Sequence, residues 1–434
     1  MNGFEITYDF SGYLSRIDPL QSYTIEPLKG GLTNFTVRAI KTTSRSTDEG
    51  RFPNHKTLVL KNAPPHAAQS EELPLSQHRQ VNESRALSLF TPPDGLLPHL
   101  CRDSDVSVPH LLEFDQDEHV LIMSDLGDSV TFTEYLSLTQ GDDKADCLRS
   151  SFLTSADASF QLGSRLGRFL GELHSRRTLD LIGRDRLAMF GNPDYVTIFH
   201  ILNTELTRVL GEFGAADAVE LAQRVLVDFH RDDVDEERSF QLGDLWVGGI
   251  LVSKLDDTWL RLGAVDWEHA GAGRGVSGDV SQLLANAHLC LLESASTGTL
   301  HAAIRAAIDG LTQAYRTRRR VDEMEWTRAG KLVSSGATPP APEASSTLAR
   351  MVRSAYLGHG NVMLLRTLLL GDWRCTACKK ADAKNCEMVP KMIERGLWYL
   401  RTARNDTAEF VEEGNWKLVC SEENWVVGSL FYGD

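Results

Sequence analysis

The sequence predicts an α+β chain of two lobes. Residues 1–126 should form a small lobe on an antiparallel sheet, and residues 127–434 a larger helical lobe. Three observations carry this reading. β-Branched runs bounded by turn residues recur through the first segment. Apolar residues at helical spacing replace them in the second. A length of 434 residues is more than one core usually serves.

The elements follow in order. Tyr23-Thr24-Ile25 reads as a strand leading to Lys29-Gly30-Gly31-Leu32-Thr33-Asn34. Phe35 to Ile40 alternates like a second strand, and the polar stretch 41–56 reads as a loop. Thr57-Leu58-Val59-Leu60-Lys61 and Val120-Leu121-Ile122-Met123 are further short strands. One helix, over 76–90, interrupts them. Beyond residue 127, Leu162, Leu166, Phe169, Leu170 and Leu173 recur at i, i+4, i+7, i+8 and i+11, an amphipathic helix. Gly163, Gly167 and Gly171 form a second row on it. Each costs about 1 kcal/mol against alanine in a helix interior, which close approach of a neighbouring backbone would offset. Residues 333–347, rich in Pro, Ser and Ala, read as a mobile loop.

Composition excludes several classes. Hydrophobic residues are 42% and charged residues 24%, an ordinary globular balance. A net charge of −15 lacks the basic footprint of a general nucleic-acid binder. No stretch approaches the ~18 uncharged apolar residues of a membrane span; the best, Asn361 to Gly371, contains Arg366. Met1 to Thr7 has no basic region before an apolar core, so no secretory leader is expected. Seven cysteines, an odd number in a long chain, predict reduced thiols and a cytoplasmic setting.

The most informative segment is Gln241-Leu242-Gly243-Asp244-Leu245-Trp246-Val247-Gly248-Gly249-Ile250-Leu251-Val252. A hairpin follows, turning at Asp256-Asp257 and ending in Val265-Asp266-Trp267-Glu268. Asp244 and Asp266 therefore stand at its two mouths. Phosphoryl transfer needs such a pair, one carboxylate to orient the attacking hydroxyl and one to bind a metal bridging the phosphates. Two turn aspartates capping strands would give the same spacing. A second pair weighs against that: Glu83 shares a helical face with Ala86, Leu87 and Phe90. A buried carboxylate needs a cation, and Lys61 at a strand end is the candidate. The adjacent Gly30 and Gly31 would let the backbone approach a phosphate, although Gly-Gly between strands is also an ordinary turn.

In this order, the pieces resemble the aminoglycoside phosphotransferase and choline-kinase-like family, a branch of the protein-kinase-like fold. The resemblance spans nearly the whole chain. It rests on Gly30-Gly31-Leu32-Thr33-Asn34, Lys61, Glu83, the hinge-like Leu121 to Gly127, the helix ending in Leu173-His174, Gly243-Asp244, Asp266-Trp267-Glu268 and Gly278-Asp279-Val280. It implies that Asp244 is the catalytic base and Asp266 a Mg2+ ligand. It implies that Lys61 holds ATP phosphates and Glu83 orients it, with Gly30, Gly31 and Asn34 in the phosphate loop. The backbone of Ser124 and Leu126 would meet the adenine edge, with Met123 beside it. Asp279 resembles an aspartate that anchors the catalytic loop, although an N-cap role for its own helix is the plainer reading. His174 reads as structural.

Two positions depart from the family pattern. Leu242 stands where the family has histidine, and Gly249 where it has an asparagine that ligates metal. The expected function is transfer of the ATP γ-phosphate to a hydroxyl of a small molecule, bound against the helical lobe beyond residue 295. The alternative is a degenerate kinase acting as a nucleotide-binding module. Gly271 to Val276 imitates a dinucleotide loop, but its last glycine is misplaced. Cys375-x-x-Cys378 with Cys386 lacks a nearby fourth zinc ligand and reads as free thiols.

Overall fold

The computed structural model describes residues 7–28, 33–42, 50–137, 155–191, 193–231, 237–255, 259–294, 298–322, 340–369, 387–421 and 424–432. Gly30, Gly31, the hairpin turn at Asp256-Asp257, Cys375, Cys378, Cys386 and residues 333–339 of the 333–347 stretch lie outside the described residues.

The N-terminal part is built on a five-stranded antiparallel sheet. Its strands are β1 (Tyr23–Pro27), β2 (Phe35–Lys41), β3 (Thr57–Asn62), β4 (Leu111–Asp115) and β5 (Val120–Ser124), in the order β1-β2-β3-β5-β4. Strand periodicity assigns the faces. Phe35, Val37, Ala39, Leu58 and Leu60 are buried in one core with Val120 and Ile122. Helix α1 (Phe10–Ile17) closes that core with Phe10, Tyr13 and Leu14, and Asp9 accepts the Gly12 amide at 2.9 Å to cap it. Val59 and Lys61 fall on the opposite face, toward helix α2 (His78–Phe90). In this sheet and its covering helix, α1 and β4 had no sequence forecast. The first is only two turns long, and the second is half-buried throughout, so no alternation marks it.

The rest is mainly helical: α3 (Ala156–Leu173), α4 (Pro193–Glu212), α5 (Ala218–Phe229), α6 (Ser281–Glu293), α7 (Gly298–Asp322), α8 (Thr347–Leu368) and α9 (Met388–Thr402). Between α5 and α6 lie β6 (Arg238–Gln241), β7 (Ile250–Lys254), β8 (Leu260–Ala264) and β9 (Gly271–Arg274). β7 and β8 form the expected hairpin, with Ile250 opposite Ala264, and β6 pairs with β9. The glycine row on α3 does meet a backbone. A Cβ on Gly163 or Gly167 would lie 2.0 or 2.2 Å from the carbonyl oxygen of Ala307 or Leu311 on α7. Gly171 instead faces the Arg318 side chain, 2.8 Å from its Cβ.

Where α6 crosses α8, His288 and His359 are buried with Nδ1 and Nε2 3.0 Å apart. Burial pushes His288 down to about 3, helped by the Arg395 charge, and holds His359 well below its ordinary value. Both are neutral when folded, whereas the unfolded chain protonates them below about pH 6.5. Stability from this pair is therefore present above about pH 6.5 and lost as pH falls, by up to ~1.4 kcal/mol per pH unit for each ring. Melting between pH 7 and 5 should be steeper for the wild type than for His359→Asn; equal slopes would refute the assignment. Among the described residues, no helix is long and apolar enough to cross a membrane.

Candidate active site

The site begins with one lysine. β3 carries Lys61 onto the face opposite its core residues, and α2 presents Glu83 to it. The Lys61 Nζ donates to Glu83 Oε2 at 2.7 Å and to Asp266 Oδ1 at 2.6 Å. Glu83 is 2% exposed, on a face shared with buried Ala86, Leu87 and Phe90, as the helical spacing predicted. Burial alone would push the ammonium down; Asp266, Glu83 and Glu268 more than offset it and hold Lys61 above its ordinary value. Burial raises Glu83, and the Lys61 charge only partly opposes it. Glu83 also reaches across the lobes, since its Oε1 accepts the Trp267 amide at 3.3 Å.

Asp266 follows β8 with φ of 71°, a left-handed conformation that costs a non-glycine residue about 1–3 kcal/mol. Trp267 pins the turn. Its ring is fully buried, packs 4.8 Å from Phe90, and donates to the Ala264 carbonyl at 3.1 Å. Glu268 holds the start of β2: its carboxylate accepts from Thr33 Oγ1 at 2.9 Å and from Asn34 Nδ2 at 2.7 Å. Arg79 donates to Asn34 Oδ1 at 3.0 Å and to the Thr33 carbonyl at 3.0 Å. Burial would raise Glu268, but Lys61, His269 and Asn34 bring it below its ordinary value. Asn34 is thus buried in a bracing network and is not on the cavity wall.

That cavity, of about 190 Å³, lies between the sheet and the β7–β8 hairpin. Lys61, Glu83 and Asp266 stand on its wall with the hinge residues Met123, Ser124 and Leu126, and Leu28, Val59 and Leu251 contribute apolar surface. The Ser124 amide is engaged, donating to the His110 carbonyl at 2.9 Å. Arg38 ties the hinge to β2, pairing with Asp125 at 2.8 Å and donating to the Gly127 carbonyl at 2.8 Å.

The second aspartate sits on the loop after β6. Gly243 there has φ of 88°, and a Cβ would lie 2.1 Å from the His269 carbonyl oxygen, so only glycine fits. Asp279 braces this loop rather than capping its own helix. It is fully buried, and its carboxylate accepts the Leu242 amide at 2.7 Å and the Gly243 amide at 2.9 Å. His174 sits 3.3 Å from the same carboxylate and 3.1 Å from the Tyr315 hydroxyl, and burial lowers its pKa, a structural role. The N-cap reading of Asp279 is therefore corrected: it lies in the wide turn Val276–Val280 that opens α6, and its oxygens turn to the loop. Leu242 packs in the core, so main-chain bonds do the bracing there. Asp244 accepts a hydrogen bond from Gln282 Nε2 on α6. It is absent from the wall of that cavity, where its neighbour Trp246 lines the surface with the Arg366 guanidinium 4.5 Å above its ring.

Ligand oxygens of Glu83, Asp266 and Glu268 lie within 4.8 Å of one another. Glu83 and Glu268 are committed to Lys61 and to the Thr33–Asn34 pair, whereas Asp266 gives Oδ1 to Lys61 but has a side chain 33% exposed on the cavity wall. One carboxylate with water and phosphate oxygens suits Mg2+, so Asp266 fits that ion without a ligand from Gly249. Sequence reasoning missed Arg79, Gln282 and the bracing role of Glu268. Their partners lie far along the chain, and no local spacing links them.

A family model described as the phosphotransferase enzyme family matches residues 24–275. The 4-hydroxytryptamine kinase of Psilocybe cubensis is 27% identical over 257 residues, covering 56% of this chain and 62% of that protein. The 4-hydroxytryptamine kinase of Psilocybe cyanescens is 26% identical over 280 residues, covering 61% of this chain and 69% of that protein. The chain thus spans less than two thirds of the Psilocybe cubensis relative. Among solved structures, an ethanolamine kinase of Plasmodium vivax aligns over 88% of this chain and 81% of its own, with 9% identity and a TM-score of 0.40.

Proposed function

This chain belongs to the phosphotransferase enzyme family, and from that premise we propose that it is an ATP- and Mg2+-dependent small-molecule kinase. The observation that carries the reading is Lys61 Nζ held between Glu83 and Asp266 on the wall of a cavity bounded by a hinge. In this proposal residues 1–126 form the nucleotide lobe and residues 127–434 the catalytic and acceptor lobe. The adenine lies against Met123 and Val59 and meets the backbone of Ser124 and Leu126. Lys61 holds the phosphates, and Glu83 keeps the ammonium in place. Gly30 and Gly31 belong to the phosphate loop, whose end Asn34 ties to Glu268. Asp266 binds Mg2+, which when present neutralises phosphate charge and orients the γ-phosphoryl group.

Asp244 orients the acceptor hydroxyl and takes its proton as the acceptor oxygen bonds to the γ-phosphorus and ADP leaves. Gln282 fixes the carboxylate for that task. The Psilocybe relatives, 4-hydroxytryptamine kinases by name, favour a hydroxylated aromatic amine as the acceptor class. A second reading, a nucleotide-binding module without transfer, is favoured by Gly249, which supplies no side-chain oxygen to the metal. The test between them is Mg2+-dependent phosphate transfer from ATP to a panel of hydroxyl compounds.

A further inference from the structure

We propose that Asn82 is a positioning residue: it locks helix α2 to the turn that carries Asp266, so that Lys61, Glu83 and Asp266 stand assembled before any ligand arrives. The proposal deepens the kinase reading, and rests on it only for the ligand used in one arm of the test.

Asn82 is fully buried on α2, one residue before Glu83. Its Nδ2 donates to two main-chain carbonyls that follow Asp266, Glu268 at 3.0 Å and Ala270 at 2.8 Å. Its Oδ1 accepts the Gly191 amide at 3.1 Å. The partners fix which way the side chain points. Carbonyl oxygens only accept and a main-chain amide only donates, so a flipped Asn82 would lose all three bonds. One side chain therefore joins α2, the Asp266 turn and the segment ahead of α4.

The turn needs such a hold. Asp266 has φ of 71°, a backbone conformation that a non-glycine residue keeps only where its surroundings impose it. Trp267 fills the core beside it and gives its amide to Glu83. Ala270 closes the turn by donating its amide to the Trp267 carbonyl at 3.0 Å. Two consecutive residues of α2 thus grip this turn, Glu83 through an amide and Asn82 through two carbonyls.

The helix is anchored at its other contacts too. Gln80 Nε2 donates to the Lys61 carbonyl at 2.6 Å, which ties α2 to β3. The Ser76 amide donates to Asp194, and Arg85 donates to the Met189 carbonyl. α2 therefore bridges the strand that carries Lys61 and the turn that carries Asp266. Without the Asn82 donor, the turn relaxes out of its positive φ. The Asp266 carboxylate then leaves the position in which Lys61 meets it at 2.6 Å.

The test compares Asn82→Ala with Gly167→Ala, a control that loosens the α3–α7 contact and not this turn. Two readouts are taken on the full chain. Without ligand, amide hydrogen exchange over residues 265–271, measured relative to β7 of the same protein, should quicken about tenfold or more in Asn82→Ala and stay in step in Gly167→Ala. With ATP, the Mg2+ concentration that gives half the maximal rise in Tm should increase about tenfold or more in Asn82→Ala and stay near the wild-type value in Gly167→Ala. Asn82→Ser keeps one donor and should fall between wild type and Asn82→Ala in both readouts; it carries the comparison if the alanine variant does not fold. Unchanged relative exchange over 265–271 would overturn the proposal. Faster exchange with an unchanged Mg2+ midpoint would make Asn82 a structural bond only and overturn it as well. The exchange needs no ligand, so a wild type that ignores Mg·ATP while the turn still opens in Asn82→Ala would reject the kinase reading and leave the lock standing.

Discussion

Asp244→Ala lowers phosphate transfer by about 10²–10⁴-fold, the usual range for a lost general base, while Mg·ATP continues to stabilise the protein. The separation follows from the geometry. Asp244 touches Gln282 and the loop braced by Asp279, and it is not on the wall that holds Lys61, Glu83 and Asp266. Truncation removes the group proposed to orient the hydroxyl and leaves the wall that carries Lys61, Glu83 and Asp266 intact. Coupled turnover with the hydroxyl panel and a parallel melting scan check both halves. Transfer at the wild-type rate in Asp244→Ala would remove Asp244 as the base. A wild type that binds Mg·ATP but phosphorylates no acceptor would favour the binding-module reading, with Gly249 as its physical reason.

Gly167→Ala destabilises the fold by about 2 kcal/mol or more, against its helix propensity. Alanine is favoured over glycine by about 1 kcal/mol in a helix interior. At Gly167, however, the added Cβ would lie 2.2 Å from the Leu311 carbonyl oxygen, a backbone atom no rotamer change can move. α3 and α7 would have to separate, and overpacking of this kind costs about 1–3 kcal/mol or more. Gly211 on α4 is the control, because a Cβ there meets nothing within 4 Å. Gly211→Ala should therefore raise the urea midpoint and Gly167→Ala lower it. A rise in both would refute close packing of the two helices through this row.

The same pair of helices shows what a sequence can reveal. A glycine every fourth residue is visible, and its physical penalty implies a compensating contact; the identity of α7 as the partner is not, because nothing near Gly163 encodes Ala307. The pairing around Lys61 was legible for a similar reason. Glu83 on an apolar helical face demands a cation, and Lys61 supplies it at 2.7 Å. The two aspartates at the hairpin mouths were placed by strand pairing of Ile250 with Ala264. Asp279 was misjudged because N-cap preference is a local property, whereas its partners, the Leu242 and Gly243 amides, come from a distant loop. Gln282 and Asn82 were invisible, since their partners come from elements far along the chain.

The account turns on Lys61, and a melting scan with and without Mg·ATP on wild type and Lys61→Met addresses it directly. Lys61→Met leaves Glu83 buried beside two other carboxylates, so the variant should melt lower without ligand, and each protein is compared with itself. At a nucleotide concentration of 100 times Kd, the wild type should gain about 2.7 kcal/mol of stability and a corresponding rise in Tm. Lys61→Met should show little or no rise at the same concentration. A wild type indifferent to Mg·ATP, or a variant that gains as much as the wild type, would contradict the placement of a nucleotide against this lysine.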